Sequence, residues 1–183
     1  MSFARILLSL LIVAAVAGCG DIAGDLFPSG TDKRPALDAG ATGPGVGQRA
    51  PEFSLPDTRG SAVTLAGALG AARGVVLYFT MWCPACDIHM RRMREVDVPA
   101  HAGVRFLVVD YVSATVEDAR RAEIANGYAG SGFTVLADTA QSARHAYAAT
   151  MGTTVVVDAA GVVRMSEDYR DGFRLGQVLG ALP

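Results

Sequence analysis

The residues with the clearest chemistry are two cysteines in the segment 82–86, which has the sequence Trp-Cys-Pro-Ala-Cys. Two thiols at this spacing, where a strand passes into a helix, can close a small disulfide. Cys83 would stand at the helix N-terminus, where free N–H groups and the helix dipole stabilise a thiolate. Cys86 would lie one turn further along and be more buried. We therefore predict that Cys83 is the attacking nucleophile and that Cys86 is the resolving thiol.

The residues around the cysteines fit these roles but leave other chemistries open. Pro84 suits the first helical turn, where its missing N–H costs nothing. Trp82 is expected to shield the disulfide with its flat ring. A structural disulfide is one alternative, and a zinc site is another, although zinc usually takes four ligands. The histidines available for it are His89, His101 and His145. We expect His89 to be a partly exposed surface residue, and we expect no metal.

The segments that flank the cysteines predict the elements that hold them. Residues 75–80 form a continuous apolar run that predicts a buried, central, parallel strand. Residues 84–95 predict a helix, because Cys86, Met90 and Met93 are spaced to share one face. The cysteines would therefore lie where this strand turns into this helix.

Strands and helices alternate along the rest of the chain. Further strands are predicted at 104–110, 133–136, 153–157 and 162–165, the last two joined by a hairpin turn at 158–161. Helices are predicted at 116–126, with Thr115 as its N-cap, at 140–149 and at 173–182. This alternation predicts an α/β fold, and the hairpin predicts a central mixed β-sheet flanked by helices.

The N-terminus has the organisation of an export signal. Residues 1–18 contain Arg5 and then an apolar run that is too short for a membrane span of about 20 residues. Residues 16–19 are Val-Ala-Gly-Cys and resemble the bacterial lipobox. That resemblance implies a lipoprotein signal peptide over 1–18 and lipidation of Cys19. A plain cleavage site or an uncleaved anchor is the alternative.

Composition divides the remainder into a linker and a domain. Residues 19–47 are rich in glycine and proline without an apolar period, so a flexible tether is expected after the acylated cysteine. Residues 48–183 form the predicted domain. Hydrophobic residues make up 51% of the chain and charged residues 19%, which excludes wholesale disorder. The net charge of −2 provides no basic field for nucleic acid.

Several ordered motifs across residues 46–183 resemble one known family. Residues 46–55 are Val-Gly-Gln-Arg-Ala-Pro-Glu-Phe-Ser-Leu, and the two-cysteine site follows. Residues 133–138 are Phe-Thr-Val-Leu-Ala-Asp, and residues 153–158 are Thr-Thr-Val-Val-Val-Asp. The set resembles the thioredoxin-like redoxin group, which includes AhpC/TSA-type peroxiredoxins and TlpA/ResA-like membrane-tethered thiol-disulfide oxidoreductases. The resemblance implies a thioredoxin-like fold.

Two departures from the family's pattern concern acid–base groups. Leu77 stands where thioredoxins carry a buried acid. Asp110, at the end of the next core strand, is the candidate proton acceptor for Cys86, and a plain strand-end role for Asp110 is the alternative. The arginine with which peroxiredoxins polarise peroxide is missing, although Thr80 matches their Thr-x-x-Cys motif.

A third departure is Gly152, which replaces the family's cis-proline. A cis bond before a residue other than proline costs about 2.5–4 kcal/mol, so the Met151–Gly152 bond is predicted to be trans. Glycine also widens the allowed backbone angles. We therefore expect a looser loop, with Met151 filling part of the space near Cys83.

The resemblance implies a thiol-disulfide oxidoreductase that works through a Cys83 mixed disulfide, in the reducing direction. Its partners would be thiol- or disulfide-bearing proteins of the bacterial cell envelope and an electron donor. It would face the periplasm or the cell exterior as a monomer, held to the membrane by the lipid on Cys19, without a cofactor and without nucleic acid. Two alternatives remain. One is a thiol peroxidase in which Cys86 resolves a Cys83 sulfenic acid, and the other is a Cu(I) metallochaperone.

Overall fold

The structure is a computed structural model, and its described part comprises Asp38 and residues 40–183. The predicted signal peptide, Cys19 and most of the predicted tether lie outside the described residues, so these assignments stay predictions. Among the described helices, none combines the length and the hydrophobicity that a bilayer crossing needs.

Two sets of strands build the fold. A small antiparallel pair consists of β1 (Ser54–Pro56) and β2 (Ala62–Thr64). The main sheet consists of β3 (Gly74–Thr80), β4 (Val104–Asp110), β5 (Phe133–Ala137), β6 (Thr153–Asp158) and β7 (Val163–Asp168), in the spatial order β5–β4–β3–β6–β7. Strand β3 is central and buried along its whole length, as predicted. It pairs parallel with β4 and antiparallel with β6, so the prediction of a mixed sheet is confirmed.

Helices flank the sheet. They are α1 (Leu65–Leu69), α2 (Pro84–Arg92), α3 (Val98–Ala100), α4 (Val116–Ala125), α5 (Ser142–Ala146) and α6 (Phe173–Gly180). A π-helical turn over Met93–Asp97 joins α2 to α3, so the helix predicted at 84–95 continues further and less regularly than expected. Helix α5 is shorter than the predicted 140–149, because Gln141 and Ala148 have φ angles of 54° and 47°, which a right-handed helix cannot include. The sequence did not predict β1, β2 or α1, which are too short to show a periodic pattern.

The alternation of side chains along β3 assigns them to two separate cores. Tyr78 lies in the core that also contains Cys86 and Met90 of α2. Leu77 and Phe79 lie in the other core, on the opposite face of the sheet. A residue at position 77 therefore points away from the core of Cys86, whereas position 78 shares it.

Residues 40–47, which composition had assigned to the tether, contact the domain. The Gly47 N–H donates to the Val163 carbonyl at 2.9 Å, and the Gly43 N–H donates to the Arg49 carbonyl at 2.9 Å. Gly43 is buried, and a Cβ atom there would collide with the Gln48 side chain. Ordered contacts of the domain thus begin before the predicted boundary at residue 48.

One edge of the sheet gathers the candidate site residues. In the parallel β3–β4 ladder, Thr80 is the partner of Asp110, and both are the last residues of their strands. Helix α2 begins four residues after Thr80. Ligands bind at the carboxyl ends of parallel strands in open α/β sheets, so a functional site is expected at this edge.

Candidate active site

Cys83 caps the helix that carries Cys86. Cys83 has extended backbone angles and is the N-cap of α2, and its Sγ accepts a hydrogen bond from the Cys86 N–H at 3.3 Å. Pro84 occupies the first turn of the helix, as predicted. Both cysteines are free thiols, with their sulfur atoms 2.9 Å apart. The Cys83 sulfur therefore lies at the N-terminus of α2, the position predicted for it from the sequence.

The two neighbouring thiols differ in their exposure to solvent. Cys83 is partly exposed, whereas Cys86 is completely buried. Burial acts to raise the pKa of the Cys86 thiol, but the hydrogen bonds it receives, first from the Cys83 thiol and then from backbone and hydroxyl donors, lower that pKa overall. Ionisation is therefore a property of the pair. Because the outer sulfur alone is accessible, Cys83 is the one that can meet another molecule.

Trp82 is held in an uncommon conformation next to Cys83. Its φ angle of 58° lies in the left-handed region, which few residues other than glycine adopt. Two hydrogen bonds offset the strain: the backbone N–H donates to Thr80 Oγ1 at 3.0 Å, and the indole Nε1–H donates to Asp110 Oδ2 at 2.7 Å. The Trp82 ring and the Cys83 side chain both pack against the core that contains Cys86. The tryptophan is thus fixed beside the accessible sulfur.

Asp110 organises the end of β4. It is completely buried, and its Oδ1 accepts hydrogen bonds from the N–H groups of Val112 and Ser113, each at 3.0 Å. Its Oδ2 accepts from Trp82 and, at 2.6 Å, from the Ser113 hydroxyl. All of these partners are donors other than Cys86. The hydrogen bonds thus fit the strand-end role rather than that of proton acceptor, with the added task of holding Trp82.

Thr80 connects the end of β3 to both Trp82 and Cys86. Its side chain is completely buried, and its hydroxyl is one of the groups whose hydrogen bonds lower the pKa of Cys86. The same oxygen accepts the Trp82 N–H. Thr80 therefore supports the buried thiol and the neighbouring backbone.

Sequence reasoning missed a buried pair formed by Tyr78 and His89. The Tyr78 hydroxyl lies 3.0 Å from His89 Nδ1, and Tyr78 is almost completely buried. Burial raises the pKa of Tyr78 well above its usual value, and the charge of Cys86, which lies in the same core, raises it further. Alternation along β3 could have pointed to Tyr78, because positions 76 and 78 share a face.

His89 is partly exposed, as expected, and its ring is also packed against another aromatic ring. Its ring lies against that of Tyr169, with the ring centroids 4.5 Å apart. Burial lowers the pKa of His89, so the imidazole is neutral at pH 7 and one ring nitrogen is free to accept a proton.

Two backbone hydrogen bonds hold the loop at Gly152. None of the described peptide bonds is cis, so the Met151–Gly152 bond is trans, as expected. Gly152 has a φ angle of 84°. Its N–H donates to the Phe79 carbonyl at 3.0 Å, and its carbonyl accepts from the Tyr169 N–H at 2.8 Å. The loop is thus tied to β3 and to Tyr169, and the expectation that glycine makes it looser than a proline-bearing loop stays a prediction.

The imidazole of His89 faces Gly152. A Cβ atom built on Gly152 would lie 3.7 Å from His89 Cε1 and Nδ1. Met151 is 38% exposed. The imidazole of His89 thus packs on this glycine, and the expectation that Met151 fills part of the space near Cys83 stays a prediction.

The described residues contain no group of three or more histidine, cysteine or acidic side chains placed to hold a metal ion. His101 ends α3 and His145 lies on α5, so both belong to elements other than α2. A structural zinc site takes four ligands, and the two thiols supply two of them. The geometry of Cys83 and Cys86 therefore fits dithiol exchange better than zinc binding.

A known protein family matches the part of the chain that contains this site. The AhpC/TSA family profile matches residues 46–166, which include both cysteines, Asp110 and Gly152. The chain belongs to the AhpC/TSA family. The match includes both the segment that starts at Val46 and the strand–Cys-Pro–helix unit.

Solved structures resemble this AhpC/TSA member over most of its length. Mycobacterium tuberculosis DsbF is 26% identical, with a TM-score of 0.59 over 72% of this chain and 95% of that one. A candidate thiol:disulfide interchange protein DsbE from Chlorobium tepidum is also 26% identical, with a TM-score of 0.63 over 75% of this chain and 97% of that one. The thioredoxin-like fold and these neighbours support thiol-disulfide oxidoreductase activity.

A shorter match links the chain to a named protein. Over 46 residues it is 48% identical to the methylamine utilization protein MauD of Paracoccus denitrificans. The matched segment covers 25% of this chain and 23% of MauD. The chain thus matches less than a quarter of that relative's length, and the role of MauD does not transfer with the match.

Proposed function

We propose that this protein is a lipid-anchored, extracytoplasmic thiol-disulfide oxidoreductase that exchanges electrons with cysteines of partner proteins. The observation that carries the proposal is the pair of unequal thiols, a partly exposed Cys83 and a buried Cys86 with sulfur atoms 2.9 Å apart. An exposed thiolate can reach a disulfide of another protein. A buried thiol at this distance can reach only Cys83, which is the arrangement that two-step exchange requires.

The proposed reaction consists of two exchanges. In the first, the Cys83 thiolate attacks a partner disulfide, a bond forms between Cys83 and one partner sulfur, and the other partner sulfur leaves as a thiolate. In the second, the Cys86 thiolate attacks Cys83 Sγ, the Cys83–Cys86 disulfide forms, and the remaining partner sulfur leaves. Two electrons pass to the partner, and a donor dithiol of the cell envelope restores the enzyme.

The anchoring and the location rest on the N-terminal sequence. The lipobox-like segment 16–19 supplies the acylated Cys19, and the tether that follows would let the domain reach roughly 30 Å from the membrane. Resemblance to a thiol:disulfide interchange protein supports partners with disulfides, which persist in the oxidising envelope. The partners are therefore sought among envelope proteins rather than in the cytosol.

The proposal is tested with the full chain in detergent micelles. The reduced protein should reduce the disulfides of insulin, and Cys83→Ser should remove this activity while Cys19→Ser leaves it intact. A reduction potential of about −300 mV for the Cys83–Cys86 couple would indicate a reductase, and one of about −120 mV would indicate an oxidant. Turnover of hydrogen peroxide without disulfide exchange would contradict the proposal and favour a peroxidase.

A further inference from the structure

The second exchange requires a thiolate at a buried sulfur. In the dithiol form the Cys83 thiol donates a hydrogen bond that helps to lower the pKa of Cys86. In the mixed disulfide Cys83 no longer carries a proton to donate, while the burial that raises the pKa of Cys86 remains. Cys86 is thus hardest to ionise at the step in which it must attack, so a base that takes its proton would speed this step.

Asp110 does not supply that base. Its two carboxylate oxygens receive hydrogen bonds from Trp82, Val112 and Ser113. Position 77, where thioredoxins carry an acid, holds a leucine in the opposite core. The base must therefore come from the core that Cys86 itself occupies.

Tyr78 lies in that core, and His89 contacts the Tyr78 hydroxyl. Tyr78 lies in the same buried core as Cys86, whose charge raises the pKa of Tyr78, and the Tyr78 hydroxyl lies 3.0 Å from His89 Nδ1. His89 is one helical turn beyond Cys86 on α2 and is partly exposed. Tyr78 thus connects the core of the buried sulfur to a group that water can reach.

We propose that Tyr78 and His89 form a proton relay that accepts the thiol proton of Cys86 during the second exchange. This inference rests on the proposed oxidoreductase function and names the base within it. Cys86 S–H gives its proton to the Tyr78 oxygen while the Tyr78 O–H proton moves to His89 Nδ1. The products are the Cys86 thiolate, an unchanged tyrosine and an imidazolium, which returns the proton to water.

The relay fits the acid–base properties of its members. Tyr78 need not ionise, because it receives one proton as it gives up another, and a phenol hydroxyl can accept and donate at once. His89 is neutral at pH 7 because burial lowers its pKa. An imidazole with a pKa near the working pH is an effective general base.

The surroundings of His89 keep the relay free of competing charges. The groups that face it are Tyr78 from β3, Tyr169 from the segment after β7 and the backbone of Gly152. The charged side chains of this region act on Tyr169 and not on His89, and they are Arg92, Asp97 and Asp171. The titration of His89 thus reflects its burial and its tyrosine neighbours.

Gly152 makes room for the imidazole. Its Cα faces the His89 ring at a distance where a Cβ would just touch Cε1 and Nδ1. A pyrrolidine ring at this position would extend further from the backbone than a Cβ does. The glycine that replaces the family's proline is therefore compatible with a histidine at position 89 in a way that a proline is not.

The relay is tested by stopped-flow reaction of the full reduced chain, in detergent micelles, with 5,5′-dithiobis(2-nitrobenzoate). Cys83 attack releases one thionitrobenzoate and leaves a mixed disulfide, and Cys86 attack then releases a second. The two absorbance phases therefore separate the first exchange from the second. Tyr78→Phe and His89→Gln should slow the second phase by about 100-fold at pH 7, in the range of general acid–base catalysis, and leave the first phase within about twofold.

The pH profile separates a proton relay from a structural effect. In the wild type the second phase should slow as the pH falls through the pKa of His89, below about 6.5, because the imidazolium cannot accept a proton. In His89→Gln this bend should disappear. His145→Gln is the matched control, since His145 lies on α5, and its second phase should equal that of the wild type.

The outcomes distinguish the relay from the function on which it rests. A wild type that releases no thionitrobenzoate would overturn the proposed oxidoreductase function. A wild type with two normal phases, together with an unchanged second phase in Tyr78→Phe and His89→Gln, would overturn the relay alone. A bend in the pH profile that persists in His89→Gln would also overturn it.

Discussion

The indole Nε1–H of Trp82 donates a hydrogen bond to Asp110 Oδ2 at 2.7 Å. This bond joins the turn before the redox helix to the end of β4, 28 residues further along the chain. The Asp110 carboxylate also holds the start of the next loop through Ser113. One buried carboxylate thus fixes the position of the aromatic ring beside the accessible thiol.

Asp110→Asn is expected to loosen that ring. The amide nitrogen of asparagine cannot accept the hydrogen bonds that one carboxylate oxygen accepts now, so we expect the free energy of unfolding to fall by about 1–3 kcal/mol. Trp82 is the only tryptophan in the chain, so its fluorescence reports this site directly. Asp57→Asn is the control, because Asp57 accepts backbone hydrogen bonds in an exposed turn. An unchanged emission maximum in Asp110→Asn would contradict the assigned role.

The unequal exposure of the thiols predicts which variant traps partners. Cys86→Ser should accumulate mixed disulfides between Cys83 and envelope proteins, because the resolving thiol is gone. Cys83→Ser should trap none, because Cys86 is completely buried. The measurement is non-reducing electrophoresis after acid quenching, followed by mass spectrometry of the trapped bond. Equal amounts of trapped complex in the two variants would reverse the assignment.

Substitutions at Gly152 should destabilise the loop through the backbone. Its φ angle of 84° predicts a cost of about 1–2 kcal/mol for Gly152→Ala, measured by urea unfolding. Gly130→Ala is the matched control, with a φ of 75° and an open environment, and should lose a similar amount. Gly152→Pro should lose about 3 kcal/mol or more, because proline fixes φ near −65° and removes the N–H that binds Phe79. A Gly152→Pro protein as stable as the wild type would show that the loop rearranges freely.

A buried carboxylate in the π-helical turn should make stability depend on pH. Asp97 is 2% exposed, and its Oδ2 has no hydrogen-bond partner among the described residues. Burial raises the pKa of Asp97, although Arg92 and His101 partly oppose the rise. The folded state therefore binds this proton more tightly than the unfolded state, so stability should fall as the pH rises through the raised pKa.

Asp97→Asn removes the buried charge and should remove that dependence. We expect a gain of about 1 kcal/mol in the free energy of unfolding at pH 7 and little change near pH 3, where the wild-type carboxyl is protonated. Glu95→Gln is the control on the same turn, and it should have little effect because Glu95 is exposed. Denaturant unfolding at the two pH values provides the measurement. Destabilisation by Asp97→Asn at pH 7 would contradict this prediction, because it would show that other groups stabilise the buried Asp97 carboxylate.

Cys19 is predicted to anchor the protein and to take no part in exchange. Cys19→Ser should move the protein from the membrane fraction to the soluble fraction, because a lipid chain can no longer be attached. Disulfide exchange by the released protein should match that of the wild type. Membrane fractionation and the insulin assay check the two halves of the prediction. A Cys19→Ser protein that remains in the membrane would favour the alternative of an uncleaved anchor.

Much of the fold could be predicted from local patterns. The continuous apolar run at 75–80 predicts a buried strand, because only a strand covered on both faces can bury every side chain. The two-cysteine segment predicts its own geometry, since a proline and an N-cap position define where α2 begins. The hairpin turn at 158–161 predicts the antiparallel partner strand. In each case the signal and the structure lie within about ten residues of each other.

The acid–base part of the site could not be predicted in the same way. Asp110 was singled out as a proton acceptor by its place after a strand, but whether its oxygens face Trp82 or Cys86 depends on how β3 and β4 pair. His89 was expected to be partly exposed, and it is, but its contact with Tyr169 in the segment after β7 was not predicted. Tyr78 and His89 meet because β3 and α2 enclose one core. Spacing along the chain specifies which face of an element a side chain occupies, whereas the contacts between faces depend on sheet register and helix packing, which distant residues set together.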